Sequence, residues 1–201
     1  DDGNIVDRYV PLERNRNGGF RDLHLMQELY RTGPKGGRFS LAAWYLDSHR
    51  GLPMTSADHN AAKQKKEEQD ERTLRAVAGW ERLRGGLKLA VRGGYTYTAL
   101  RYRRLHDPEG QGELRPMTDA RSTLHTFFAK AEAEYAVGEK WLFTASATAY
   151  QHRVRTGDVN IDATSGLRAD TLYHQQRFEL SLFAAARWRP LPRLGVAADL
   201  R

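Results

Sequence analysis

The feature that most constrains this chain is an alternation of apolar and polar residues with a period of two. In Leu87–Ala99, Leu87, Leu89, Val91, Tyr95 and Tyr97 fall on one side, and Lys88, Arg92, Thr96 and Thr98 on the other. A helix would mix these two sets, whereas a pleated strand separates them. Phe127–Val137 repeats the pattern, with Phe127, Ala129, Ala131, Ala133, Tyr135 and Val137 set against Lys130, Glu132 and Glu134. Trp141–Ala149 opposes Trp141, Phe143, Ala145, Ala147 and Ala149 to Thr144, Ser146 and Thr148. In Phe178–Trp188 the apolar set is Phe178, Leu180, Leu182, Ala184, Ala186 and Trp188, facing away from Glu179, Ser181 and Arg187. Weaker copies occupy Arg21–Arg31, Phe39–Asp47 and Thr73–Arg82, and a last one carries Leu194, Val196, Ala198 and Leu200. The chain is therefore expected to be all-β, with about eight antiparallel strands.

Turn chemistry parses the connections into two kinds. Short turns fall near Gly33–Gly37, Arg84–Gly86, Val137–Lys140 and Arg189–Arg193, and long polar loops over Arg50–Asp70, Arg104–Ala120 and Arg153–Asp170. Ala61–Glu71, which begins in the second half of the first long loop, is rich in helix formers and reads as a solvated loop with a helical turn, leading into a strand. All seven prolines (Pro11, Pro34, Pro53, Pro108, Pro116, Pro190 and Pro192) are expected outside the strands, because proline cannot donate to a ladder. Aromatic residues gather at both ends of the proposed strands. Tyr30, Phe39, Trp80, Tyr135, Trp141 and Trp188 lie by the short turns, and Tyr45, Tyr97, Tyr150 and Tyr173 toward the long loops.

Periodicity does not say which face points outward. A soluble barrel or sandwich would bury the apolar face; a membrane barrel turns it to lipid and encloses the polar one. Alternating short and long connections, two aromatic belts and a charge-free apolar face favour the membrane arrangement. No apolar run approaches the ~18 residues of a transmembrane helix. The formal charge of +7 comes from scattered basic residues, and Lys63–Lys66 is offset by Glu67 and Glu68. Nucleic-acid binding, which needs a clustered basic footprint, is not expected; attraction to anionic lipid head groups fits the charge at least as well. Cysteine is absent, so there is no disulfide framework or thiolate metal site.

Three stretches carry a family resemblance: RNRNGGFRDLHLMQELY (Arg14–Tyr30), FSLAAWYLDSHRGLP (Phe39–Pro53) and LKLAVRGGYTYTALRY (Leu87–Tyr102). They resemble barrel strands of TonB-dependent outer-membrane receptors, especially Bacteroidota-type receptors grouped with vitamin B12 and siderophore transporters. The most specific phrase is the W-Y-x-D-S-x-R-G-x-P run from Trp44 to Pro53. The resemblance implies that residues 1–201 are a partial barrel domain, eight strands of a wall of about 22, with the plug domain absent. It further implies TonB-dependent uptake of a scarce metal chelate such as a siderophore or cobalamin. The implied partners are outer-membrane lipid and lipopolysaccharide, with a plug domain and TonB in the full-length parent. A small self-contained eight-stranded barrel is the alternative within the membrane class.

Candidate site residues follow from placement. Lys88, Arg92, Lys130, Glu132, Glu134, Arg177, Glu179 and Arg187 should line the lumen, and His49, Arg50, Arg92 and Arg177 are the candidate ligand contacts. His49, His59, His106 and His152 lie in or beside long loops but lack the paired spacing of a metal site. Asp158, Asn160 and Asp162 form a D-x-N-x-D run whose oxygen spacing suits Ca²⁺, and cobalamin receptors of the resembled kind can use loop calcium. Ala163 and Ala169 stand where an EF-hand needs glycine and glutamate, so a plain solvated loop is the simpler reading. No enzyme is expected: in Asp47-Ser48-His49, adjacent strand residues point to opposite faces and cannot converge as a triad.

Overall fold

The computed structural model describes residues 17–33, 35–53, 65–107, 112–161, 167–191 and 194–200. They form one antiparallel sheet of eight strands in sequential order. The strands are β1 (Phe20–Thr32), β2 (Gly37–Gly51), β3 (Lys65–Arg84), β4 (Leu87–His106), β5 (Arg115–Val137), β6 (Trp141–Ile161), β7 (Arg168–Leu191) and β8 (Leu194–Leu200). Every strand pairs with its sequence neighbour, which is the simplest outcome of successive hairpins. Between β3 and β4 the turn is two residues long, Gly85 and Gly86, with φ of 55° and 81°. Two successive positive φ angles make the primed turn that matches strand twist, and glycine adopts them without strain.

The registers carry the period-two pattern across the sheet. Leu89 pairs with Ala133, Ala133 with Ala145, Ala145 with Ala184, and Ala184 with Leu200. One rung nearer the long loops run Trp80, Val91, Ala131, Ala147 and Leu182. One whole face is thus apolar over the central part of the strands, and it is not a core. Leu182 and Phe178 are each 63% exposed and Phe143 43%, while Ala90, on the other face, is the one buried hydrophobic residue among those described. Phe143 and Leu182 are not packed at a dry centre, as they would be if the described strands closed a soluble barrel or sandwich on this face.

The apolar belt also records the strand tilt. Its short-turn border is Trp80 on β3 and Trp188 on β7, yet Trp80 lies on the rung of Leu182, six residues before Trp188 (182 to 188). At ~3.4 Å per residue and ~4.8 Å between strands, six residues over four strand spacings give a tilt of about 45°. Transmembrane barrels tilt by ~35–45°.

Several expectations need correction. The strands run well past the apolar segments: β3 begins at Lys65, β5 at Arg115, and β6 reaches Ile161. Much of what reads as long loop is therefore hairpin, and the helix formers of Lys65–Glu71 are held extended by the ladder to β4, joined from Glu68 onward by the ladder to β2; ladder pairing overrides intrinsic propensity. Pro116 and Pro190 lie inside strand ends, at register shifts next to Leu105 and between Trp188 and Leu191. Such irregularities are where a sheet tolerates proline. Tyr30, Tyr150 and Tyr173 sit on the polar face, one residue out of step with the belt, so only part of each predicted aromatic girdle exists. The short-turn girdle on the apolar face is Phe39, Trp80, Tyr135, Trp141 and Trp188, with Trp141 stacked on Trp188 at 5.4 Å. At the other border stand Tyr45, Tyr95, Tyr97, Phe127 and Phe178.

Candidate functional site

The polar face holds the side chains that a solute inside the wall would meet. Period two puts Lys88, Arg92, Lys130, Glu132, Glu134, Arg177, Glu179 and Arg187 all on it, as expected. Nearest the short turns they neutralise one another: Lys88 reaches Glu134 at 3.4 Å and Lys130 reaches Glu132 at 2.6 Å. Arg92 faces Lys130 across the β4–β5 ladder. Two cations side by side repel, and Arg92 has no acidic partner within ion-pair distance among the described residues.

Higher on the same face, β5, β6 and β7 assemble a denser cluster. One rung aligns Gly94, Phe128, Tyr150 and Glu179, and the next Thr96, Thr126, His152 and Arg177. His152 Nδ1 is 2.9 Å from Thr126 Oγ1, and its Nε2 is 3.6 Å from Glu179 Oε1. Arg177 Nε donates to the same Glu179 oxygen at 2.9 Å. Tyr150 stacks on His152 with ring centroids 5.8 Å apart, and the Phe128 ring lies 6.0 Å from that of Tyr150. Phe128 also covers Gly94, where a Cβ would collide with its ring and stand 2.8 Å from the Ala76 carbonyl oxygen. The missing side chain makes room for the aromatic. The cluster offers a guanidinium, an imidazole and a phenol to a polar or anionic solute, beside an aromatic surface.

The four candidate contacts are not brought together. Arg92 and Arg177 share the polar face about 20 Å apart by strand spacing. Arg50 is on that face near the far end of β2, paired with Gln69 and Phe20. His49 points the other way, its Nδ1 2.6 Å from Asp70 Oδ1. Ser48 hydrogen-bonds Asp22 on the polar face, so Ser48 and His49 diverge as adjacent strand residues must. His152 was legible only as a loop histidine; its role as the partner of Thr126 and Glu179 emerges from register alone. His59 and Asp162 lie outside the described residues. Asp158 and Asn160 are on strand β6, not in a loop, and the Asn160 amide donates to Asp158 at 2.8 Å. Among the described residues no three His, Cys, Asp or Glu side chains are arranged to hold a metal ion.

Beyond the belt, the outward face becomes charged. Arg101 donates two hydrogen bonds of 2.8 Å to Asp119, and Arg121 joins them at 2.7 Å. The Arg101 and Arg121 hydrogen bonds hold the Asp119 carboxyl well below the ordinary carboxylate range. Burial pushes Asp70 upward, but the His49 hydrogen bond and the charges of Arg103 and Arg101 outweigh it and leave Asp70 below its usual value. Lys66 bonds Glu68, which with Arg103 at 2.9 Å lowers that carboxyl too.

A tilted antiparallel wall with one apolar and one charged face defines the fold class: a section of an outer-membrane type of β-barrel. No family model and no curated protein sequence matches the chain. Solved structures do. The ferric yersiniabactin uptake receptor FyuA from Yersinia pestis superposes on 90% of the chain with a TM-score of 0.63 at 12% identity. The ferric citrate transporter FecA, in its unliganded form, matches 90% of it with a TM-score of 0.53 at 13% identity. The RagAB peptide importer matches 84% with a TM-score of 0.51 at 11% identity. The chain spans only 28%, 27% and 26% of the lengths of these proteins, so what it resembles is one section of a larger wall.

Proposed function

We propose that this chain is a section of the barrel of a TonB-dependent outer-membrane receptor that takes up a scarce chelate, such as a siderophore or cobalamin. The observation that carries the reading is the pairing of a lipid-ready exterior with an ion-paired interior on one tilted sheet, the fold shared with FyuA and FecA. The interior needs a plug to seal it, which the parent barrel supplies along with the segment that TonB engages. The wall does no covalent chemistry. Its part is to hold the bilayer outside and offer Arg177, His152 and Tyr150 to a solute within. Among the described residues β1 and β8 are not paired with each other, which supports a section of a wider wall over a closed eight-stranded barrel.

The test is uptake by cells carrying the full-length parent, supplied with a panel of iron siderophores and cobalamin, with and without TonB. The expected result is outer-membrane fractionation and uptake of one panel member that stops when TonB is removed. Uptake of every member at equal rates without TonB, as through an open pore, would overturn the reading.

A further inference from the structure

A face that encloses water is expected to be polar along its whole length. On β1–β3 it is not. Met26, Trp44, Leu46 and Val77 gather there around a cavity of about 570 Å³, which His24 and Arg75 also line. Register puts them on the polar face: Trp44 pairs with Met26 on one side and Arg75 on the other, and Val77 pairs with Ala42 and Gly94. Met26 is 59% exposed, while Trp44, Leu46 and Val77 are half-buried. Apolar surface left open to water is stabilised by any apolar group that covers it. The base of the cavity is held in place, because Thr73 is buried there and shares a hydrogen bond of 3.3 Å with Thr98 on β4.

Charge and height say what covers it. Arg75 is exposed and has no acidic partner within ion-pair distance among the described residues, and no carboxylate lines the cavity. Trp44, Arg75, Thr96, Thr126, His152 and Arg177 lie on one rung across β2–β7. Arg75 and Arg177 are therefore four strand spacings apart, or ~19 Å of sheet, with two hydroxyls and an imidazole between them. The two ends differ. Arg177 is already bonded to Glu179, whereas Arg75 is uncompensated and stands beside the aromatic cavity. The rung runs between those of Tyr95 and Tyr97, level with the girdle farthest from the short turns. With short turns at the periplasm, that is the end of the wall a solute from outside meets first.

We propose that the β1–β3 cavity sets the specificity of uptake, and that it takes the aryl group of an anionic, aryl-bearing ferric chelate. The ring lies against Trp44 and Met26, and an anionic oxygen of the chelate pairs with Arg75. The rest of the molecule follows the Thr96 and Thr126 hydroxyls toward His152 and Arg177. A cavity of this volume, mostly apolar with one converging cation, suits one such group. An indole face favours an aromatic ring over an alkyl chain, through offset or edge-to-face packing. A guanidinium matches a planar pair of oxygens on an anion. Cobalamin, whose corrin rim is covered with neutral amides, offers no anionic ring to this pair. The inference rests on the uptake reading above and selects among the ligands that reading allows.

The experiment titrates the purified full-length receptor calorimetrically with a ferric tris-catecholate, a ferric phenolate of the salicylate type, ferric citrate and cyanocobalamin. One of the two aryl chelates should bind at least about tenfold more tightly than citrate or cobalamin, and Trp44→Ala and Arg75→Gln should each weaken it roughly tenfold. Trp44→Phe and Arg75→Lys, which keep the ring and the charge, should recover most of that loss. Arg75 holds no other described residue in place, so Arg75→Gln is expected to fold. Tightest binding of citrate or cobalamin, binding of no panel member, or unchanged aryl-chelate affinity in either variant would overturn the pocket, while TonB-dependent uptake of any ligand would leave the receptor reading intact. A Trp44→Ala receptor with a lowered Tm and unaltered affinities would mean that the parent protein itself fills the cavity, and that too overturns the pocket. Uptake that persists without TonB would overturn both.

Discussion

Replacing Ala147 with arginine tests the orientation of the whole wall. Ala147 lies on the apolar face of β6, between Ala131 on β5 and Leu182 on β7. It is six residues from the girdle residue Trp141 (141 to 147), so ~20 Å along the strand. With a tilt of about 45°, that places it ~14 Å above the short-turn girdle, at the middle of an apolar band ~25 Å tall. An arginine at that depth costs about 2–4 kcal/mol. Ser146, one residue earlier, sits at nearly the same depth but faces inward opposite Glu132. Ser146→Arg gains a carboxylate neighbour and should change stability by no more than about 0.5 kcal/mol. The assay is reversible unfolding of the full-length receptor from vesicles by guanidinium, comparing both variants with the unaltered protein. A gap of about 2 kcal/mol or more in the stated direction is the expected result. Equal costs, or a greater cost for Ser146→Arg, would refute the assignment of faces.

Three further perturbations probe separate links. Trp188→Ala removes the ring stacked on Trp141 and should cost about 0.5–1.5 kcal/mol beyond the area it exposes, read by the same unfolding assay. Gly94→Ala drives a methyl group into Phe128 and the Ala76 carbonyl. It should destabilise by about 1–3 kcal/mol, and Phe128→Ala should recover only part of that, because the carbonyl contact remains. Asp119 has its carboxyl depressed by Arg101 and Arg121 below the 3.8 of an unperturbed aspartate, so the stabilisation is complete above that value and is lost as pH falls through the depressed one. Acid titration of Asp119→Asn against the unaltered protein should show a stability difference that persists at neutral pH and shrinks only below about pH 4.

How far the fold was legible follows from what alternation can and cannot encode. Leu87–Ala99 and Trp141–Ala149 announce themselves because hydrocarbon admits no charge on one face. The upper halves of the hairpins do not. In Glu67–Thr73 or Val154–Ile161 both faces meet water, so the two sets differ little and the strand looks like a loop until its partners are known. Tyr30, Tyr150 and Tyr173 were misplaced for a related reason: position along the chain locates a residue near a membrane border, but parity decides which side of the wall it is on. The Thr126–His152–Glu179 contacts join three strands. No local pattern fixes that alignment, since it depends on the register of two successive hairpins.

The free edges of the sheet impose a final requirement. β1 is bonded only through β2, and its thirteen residues therefore turn about six N–H and C=O pairs away from the sheet. In hydrocarbon each unsatisfied group costs several kcal/mol, so one bare edge amounts to tens of kcal/mol, far beyond a typical net stability of ~5–15 kcal/mol. Pairing by strands other than β1–β8 is thus a condition of membrane residence. Residues 1–201 refolded alone with vesicles should yield edge-paired oligomers or no insertion, and amide exchange should find β4–β6 protected while alternate amides of β1 exchange freely. In the full-length receptor the same β1 amides should be protected. A monomeric, protease-resistant inserted species with every β1 amide protected would mean that β1 and β8 close on each other, and the wall would then be a small barrel in its own right.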